Sequence, residues 1–213
     1  MRRSSLVDII LRPIIVTLAV VLFRMKVENR KNFPRGSLIL AGNHISNWDP
    51  PFIAAAVPRA VHFMAKSSLF KTRFLSWAMY KLGAFPINRR SAVNSGALNT
   101  AIELVNQGEA VIIFPEGTRS RNGKMLTAKA GVGYIAHATG APVLPFFLKG
   151  MDDPKSTLLF KSRFRVTFGR KIEPEEYEEM YEQGGAGRSA EYILDKVKEI
   201  RDRNEHGNER NIE

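Results

Sequence analysis

The sequence predicts an α/β fold: a mostly parallel central sheet flanked by helices, with an N-terminal membrane-associated helical segment. Three observations carry that prediction. Short apolar runs of strand length alternate with longer runs of helical periodicity through most of the 213 residues, the pattern of a parallel sheet built by crossovers. The run AVIIF (110–114) is apolar at every position, which suits a strand covered on both faces. The N-terminus joins a basic start, MRRSS, to the apolar LVDIILRPIIVTLAVVLF and then to Arg24 and Lys26.

That N-terminal segment (1–26) does not read as a cleaved signal, because Arg24 and Lys26 stand where a small-residue cleavage site belongs. It also falls short of a spanning helix. A span needs about 20 apolar residues, and Asp8, Arg12 and Pro13 interrupt the run. Asp8 and Arg12 are spaced to pair on one helix face. The expectation is an anchor lying in or dipping into the cytoplasmic leaflet, with a buried N-terminal helix of the core as the alternative, followed by one domain (27–205) and a frayed tail (206–213).

Within the domain, GSLILAGN (36–43) predicts a buried strand running into a loop. Asp49 then reads as the N-cap of a helix over DPPFIAAAV, with Pro50 at its first position. AVHFMAKS is the second strand, SLFKTRFLSWAMYKLG a basic, aromatic, amphipathic helix, and AFPINR the third strand. SAVNSGALNTAIELVNQGE is a helix stopped at Gly108. After AVIIF come a helix over LTAKAGVGYIAHATG, ended by Gly140, and the strand APVLPFFLKG. TLLFKSRFRVTFGRKI alternates like an outer hairpin or edge pair, and SAEYILDKVKEIRDR is the closing helix.

Composition narrows the function. At 44% hydrophobic and 25% charged residues the chain is globular. It has no cysteine, which removes disulfides, thiolate metal sites and cysteine nucleophiles. A formal charge of +11 favours an anionic partner. Nucleic acid is the weaker choice, because the basic residues are dispersed and no zinc or RNP-like pattern is present.

Three polar stretches, NHISNWD, INRR and FPEGTRS, each follow a predicted strand, and loops at the carboxyl ends of parallel strands can converge on one pocket. His44 and Asp49 fall on different faces of a continuous helix, yet a turn followed by a helix start brings them together. Pro51 has no amide to offer the Asp49 carboxylate, which keeps acceptor capacity for a ring N–H of His44. That contact would fix the tautomer and leave the other nitrogen basic; simple N-capping is the competing role. Glu116 and Arg119 flank the turn at Gly117, where a self-paired exposed Glu and Arg is the alternative. Arg89, at a strand end, carries a planar guanidinium that can grip phosphate; a solvated arginine is the alternative. Lys129, near a helix start, opposes the dipole and so suggests a nearby anion, with a solvated lysine as the alternative. His62, His137 and His206 read as structural or solvated. A metal site from His44, Asp49 and Glu116 finds no second His at ligand spacing, and no metal or other cofactor is predicted.

In order and spacing these stretches resemble the glycerolipid acyltransferases. NHISNWD resembles their N-H-x4-D motif, GAFPINR their G-x-F-x-I-x-R block, FPEGTRS their third block and APVLP (141–145) their fourth. The similarity is greatest to the bacterial type that acts on 1-acyl-glycerol-3-phosphate. The resemblance implies transfer of an acyl chain from a thioester, on acyl carrier protein or coenzyme A, to the free hydroxyl of this lysophosphatidic acid, giving phosphatidic acid. It implies His44 as general base and Asp49 as its orienting acid, with Gly83 and Arg89 in the acceptor site. Glu116, Gly117 and Arg119 would bind the headgroup, Lys129 the phosphate, and Pro145 would shape the pocket wall. Another lysolipid, such as a lyso-ornithine lipid or a lysophospholipid, is the competing acceptor. A non-catalytic scaffold is disfavoured by the intact residue set.

The charge then has an anionic membrane surface to meet. Lys66, Lys71, Arg73 and Lys81 surround Phe70, Phe74, Trp77 and Tyr80, a mixture suited to headgroup depth, though a helix packed on the sheet fits it too. The implied location is the cytoplasmic face of the cell membrane, monotopic or peripheral.

Overall fold

A computed structural model describes residues 17, 21–30, 33–87, 95–120, 124–150 and 163–209. Its strands are β1 (Lys26–Glu28), β2 (Leu38–Gly42), β3 (Val61–Lys66), β4 (Ala84–Ile87), β5 (Ala110–Ile113), β6 (Val143–Lys149) and β7 (Arg165–Phe168). Its helices are α1 (Asp49–Ala56), α2 (Arg73–Lys81), α3 (Ser95–Asn106), α4 (Gly131–Thr139) and α5 (Pro174–Glu209), with a 3-10 turn at Ser67–Phe70. The described strands form one sheet in the order β1-β7-β6-β2-β5-β3-β4. The five strands from β6 to β4 are parallel. β7 runs antiparallel to β6, and β1 runs parallel to β7. The fold is therefore α/β with a mostly parallel sheet.

The central strands are the most apolar ones. Every residue of β2 and β5 is buried, and Leu40 lies in register between Ile112 and Leu144. Because a strand alternates its faces, β2 feeds two cores. Leu38 and Leu40 pack with Phe52 and Ile53 of α1, and Met79 and Leu82 of the α2 region lean on the same cluster. Ile39 and Ala41 face the other way, against Ala101 and Val105 of α3, Ile135 of α4 and Ile193 of α5. Helices thus cover both faces, as parallel sheets require.

Several expectations change. The closing helix begins at Pro174, well before SAEYILD, and breaks at Gly184 and Gly185, where φ is 67° and ψ −164° at Gly185. Its first half is held by Tyr177, whose buried hydroxyl donates to the carbonyls of Ala136 and Ala141 at 3.2 and 3.0 Å. Helix α5 also continues to Glu209, into the stretch expected as a tail. β7 is not an edge strand: it lies between β6 and β1. The edge belongs to β1, which starts on the last residue of the expected anchor. Gly108 and Gly140 end α3 and α4 with φ of 84° and 58°, as their left-handed stop positions require. Most of the expected anchor lies outside the described residues. Among the described residues no helix is long and apolar enough to cross a membrane.

Candidate active site

The site grows from the carboxyl end of β2. Gly42 packs so closely under the Phe146 ring that a Cβ there would overlap it. The next residue, Asn43, pairs by side chain: its Nδ2 donates to the Leu148 carbonyl at 3.0 Å, and its Oδ1 accepts from the Leu148 amide at 2.7 Å. A side-chain amide thus continues the β2–β6 ladder and lets the main chain turn away. Reading the sequence assigned Asn43 no role; an amide directly after an apolar strand was the signal.

The turn delivers His44, buried, with its ring stacked on Phe114 at 4.1 Å and 14°. Its Nδ1 lies 2.8 Å from Oδ2 of Asp49, a fully buried side chain. The same oxygen accepts the amides of Ile45 at 2.7 Å and Ser46 at 2.8 Å. An oxygen that already takes two amide hydrogens meets Nδ1 as an acceptor, so Nδ1 carries the ring proton and Nε2 a lone pair. Asp49 Oδ1 has no hydrogen-bond partner among the described residues.

Asp49 is not the N-cap. Helix α1 begins at Asp49 itself, and Trp48 before it has helical angles (φ −86°, ψ −8°) and no side-chain cap. The Phe52 amide goes to the Trp48 carbonyl at 3.2 Å. Prolines occupy the first helical turn and offer no amides, so the carboxylate turns back to residues 44–46.

Glu116, expected to bind the headgroup, is held against the main chain. It is 1% exposed, and both its oxygens are occupied by main chain. Oε1 accepts the His44 amide at 3.1 Å, and Oε2 accepts the Leu126 amide at 2.8 Å. Burial pushes its carboxyl above the ordinary range, partly offset by those two amides. The Ser120 amide donates to the His44 carbonyl at 2.8 Å, so the 114–120 turn grips His44 on both sides. Within that turn Gly117 has φ 66°, and a Cβ there would lie 2.8 Å from Cδ of Lys129. The Lys129 amide donates to the Pro115 carbonyl at 2.9 Å. Lys129 thus runs over the glycine turn. It precedes α4, which starts at Gly131, and does not lie in its first turn. Gly117, Arg119 and Lys129 are exposed beside the buried His44–Asp49 pair. Pro145 pairs with Ala41 on the strand beside the turn.

Gly83 is not brought to this cluster. It opens β4 at the amino end of the sheet, whereas His44 follows the carboxyl end of β2. Its φ is +86°, and a Cβ would collide with the Val61 carbonyl. It reverses the chain between α2 and β4, its amide bonded to the Tyr80 carbonyl at 3.0 Å. Arg89 lies outside the described residues.

Residues 24–149 match the Acyltransferase family. A 1-acyl-sn-glycerol-3-phosphate acyltransferase of Bacillus subtilis is 29% identical over 179 residues, which span 83% of this chain and 87% of that protein. A protein of the same name in Streptococcus pneumoniae is 30% identical over 148 residues, 68% of this chain and 54% of its own length. A crystal structure of the 1-acyl-sn-glycerophosphate acyltransferase of Thermotoga maritima aligns with a TM-score of 0.70 at 27% identity, covering 94% of this chain and 84% of that one.

Proposed function

The chain belongs to the acyltransferase family, and from that premise we propose that it moves an acyl chain from a thioester to the free hydroxyl of 1-acyl-glycerol-3-phosphate, giving phosphatidic acid. The observation that carries this reading is the buried pair of His44 and Asp49, with Nδ1 and Oδ2 2.8 Å apart. It supplies a base without a protein nucleophile, as a reaction needs when the acceptor brings its own hydroxyl.

Nε2 of His44 takes the hydroxyl proton as the oxygen bonds to the thioester carbonyl. Asp49 holds the imidazole and stabilises its cation. The tetrahedral intermediate collapses, the carbon–sulfur bond breaks, and the thiolate leaves with the proton from His44. Arg119 and Lys129, exposed beside the pair, put positive charge where a phosphate on the acceptor would lie; Arg89 joins them by resemblance. Glu116 serves by holding the His44 backbone. The reading calls on no metal or other cofactor. Acyl carrier protein and coenzyme A are both anionic and suit a chain of charge +11. The protein works at an anionic membrane surface, on the cytoplasmic face, as a monotopic or peripheral enzyme.

The test is acyl transfer by detergent-purified protein offered lysophosphatidate and other lysolipids, each with acyl carrier protein or coenzyme A thioesters, beside His44→Ala. Phosphatidate formed by the wild type alone is the expected result. Transfer confined to another lysolipid would replace the acceptor, and no transfer by folded protein would sink the reading.

A further inference from the structure

We infer that the face of the domain formed by α1, the 3-10 turn and α2 is a docking surface for an anionic bilayer, with Trp48, Leu69, Phe74 and Trp77 at headgroup depth and Lys66, Lys71 and Arg73 against the lipid phosphates. The inference deepens the acyl-transfer reading, on which it rests for the purpose of docking: delivery of a lipid acceptor to the His44 loop.

The first support is the distribution of apolar surface. Among the described residues nine large hydrophobic side chains are exposed, and five of them, Trp48, Leu69, Phe74, Trp77 and Tyr80, fall between positions 48 and 80. Phe74 is 77% exposed, Trp48 60% and Trp77 54%. The helices of the opposite face, α3, α4 and α5, contribute one, Tyr134. No residue of α2 is buried. Its Phe74 and Trp77 rings stack on each other at 6.2 Å, pointing to solvent. A helix so weakly sunk into its own core has apolar area to give to another medium.

Charge says which medium. Residues 50–102 contain seven Lys or Arg and no Asp or Glu, although the whole chain has 21 acidic residues. Lys66, Lys71 and Arg73 are exposed among the aromatics. Amphipathic rings interleaved with cations from a stretch that contains no acidic residue match the headgroup layer of an anionic membrane.

Topology ties the surface to the site. Helices α1 and α2 pack on the same core cluster, hence on the same face of the sheet. Trp48 stands at the start of α1, next to Asp49, at the end of the sheet that carries His44. Lys66 and the 3-10 turn follow the carboxyl end of β3, the same end of the parallel sheet. Docking through this face therefore sets the His44 loop at the lipid surface.

The chain has two tryptophans, Trp48 and Trp77, both on this surface, so intrinsic fluorescence reads it directly. The experiment uses the full chain with phosphatidylglycerol vesicles containing brominated phosphatidylcholine, in wild type and in Trp48→Phe and Trp77→Phe variants. A blue-shifted, quenched emission from each tryptophan is expected. Lys71→Glu/Arg73→Glu should weaken the quenching titration by at least about 25-fold, since each of the two cations lost at an anionic surface is worth roughly fivefold in partitioning. The same variant should keep its transfer rate on acceptor dispersed in detergent. Protein that pellets with vesicles while both tryptophans stay unquenched would overturn the inference. So would equal quenching by neutral vesicles, or an emission shift with acidic acyl carrier protein and none with vesicles. Quenching without any transfer to lysophosphatidate in detergent would leave the surface standing and remove the substrate reading alone.

Discussion

Glu116 accepts the main-chain amide of His44 at 3.1 Å, 72 residues along the chain from the histidine it holds. Asp49 grips the same residue by its ring at 2.8 Å. Two buried carboxylates, one at the start of α1 and one in the turn after β5, therefore fix one histidine, one through the side chain and one through the backbone. Their substitutions should fail in different ways.

His44→Ala should lower kcat by ~10²–10⁴-fold, the usual contribution of a general base. The fold should survive, because the Asn43, Glu116 and Ser120 contacts to this stretch use atoms that alanine keeps or never touched. Turnover beside a thermal melt checks it, and a cooperative melt with near-wild-type turnover would refute the base assignment.

Asp49→Asn meets a geometric conflict. The oxygen facing Ile45 N, Ser46 N and the ring must remain an acceptor, so the new NH2 has to occupy the position of Oδ1, which has no hydrogen-bond partner among the described residues. The loop geometry should persist while the imidazolium loses its counter-charge. A kcat loss of roughly 10²–10⁴-fold with little change in KM is expected, measured by steady-state kinetics on detergent-dispersed acceptor.

Glu116→Gln should loosen the clamp. The His44 and Leu126 amides face different oxygens of the carboxylate, so whichever way the new side-chain amide is turned one of them is left facing an NH2, at about 1–3 kcal/mol. A displaced His44 should lower kcat by roughly 10–10²-fold. The pH dependence has a definite sign. Burial raises the carboxyl above its usual 4.5, so the folded state keeps a proton that the unfolded chain has released. That contribution is complete below 4.5 and is lost as pH rises through the raised value. The stability gap between wild type and Glu116→Gln should therefore narrow as pH rises above 4.5, read by denaturant melts.

Gly83→Ala separates a backbone role from a substrate role. With φ +86° and the Val61 carbonyl in the way, alanine should destabilise the domain by about 2–4 kcal/mol. KM for the acceptor should stay within about twofold, because KM moves when binding contacts are lost. A large KM increase at unchanged melting temperature would restore Gly83 to the acceptor site.

Glu176→Gln probes the start of α5. Glu176 is paired with Arg170 and also accepts from Tyr192 Oη at 3.0 Å. The Arg170 side chain beside it holds its carboxyl down at about 2. This contribution is present above 4.5 and lost as pH falls toward 2. Because Arg170 is 67% exposed, its worth is limited to about 1 kcal/mol at low salt. The variant should lose stability at pH 7 and match wild type near pH 2, by thermal melts across that range.

Much of the fold was legible because buried parallel strands write themselves as apolar runs: LILAG and AVII are β2 and β5. β1 was not, since three residues, Lys26–Glu28, are too few to show a period and two of them are charged. The first half of α5 was hidden by its acidic face, where Tyr177 alone is buried among residues 174–183. At the site, spacing and turn chemistry brought His44 and Asp49 together correctly. Cap statistics then misplaced Asp49, because Pro50 and Pro51 look like a helix start without telling which way the carboxylate turns. Glu116 and Gly83 show a different limit. Residue type and spacing do not tell whether a side chain or a turn serves a ligand or the backbone, because that depends on burial and φ.

The pairing of β1 with β7 also sets a timetable for biosynthesis. Glu28 meets Thr167, 139 residues later. At about 5–20 residues per second, translation needs about 7–28 s to supply the partner strand. Until then the sheet lacks its outer strand, and the chain just after the apolar N-terminal run stays unpaired at the ribosome. β1 is therefore the earliest of the described strands to be made and the last to be seated in the sheet.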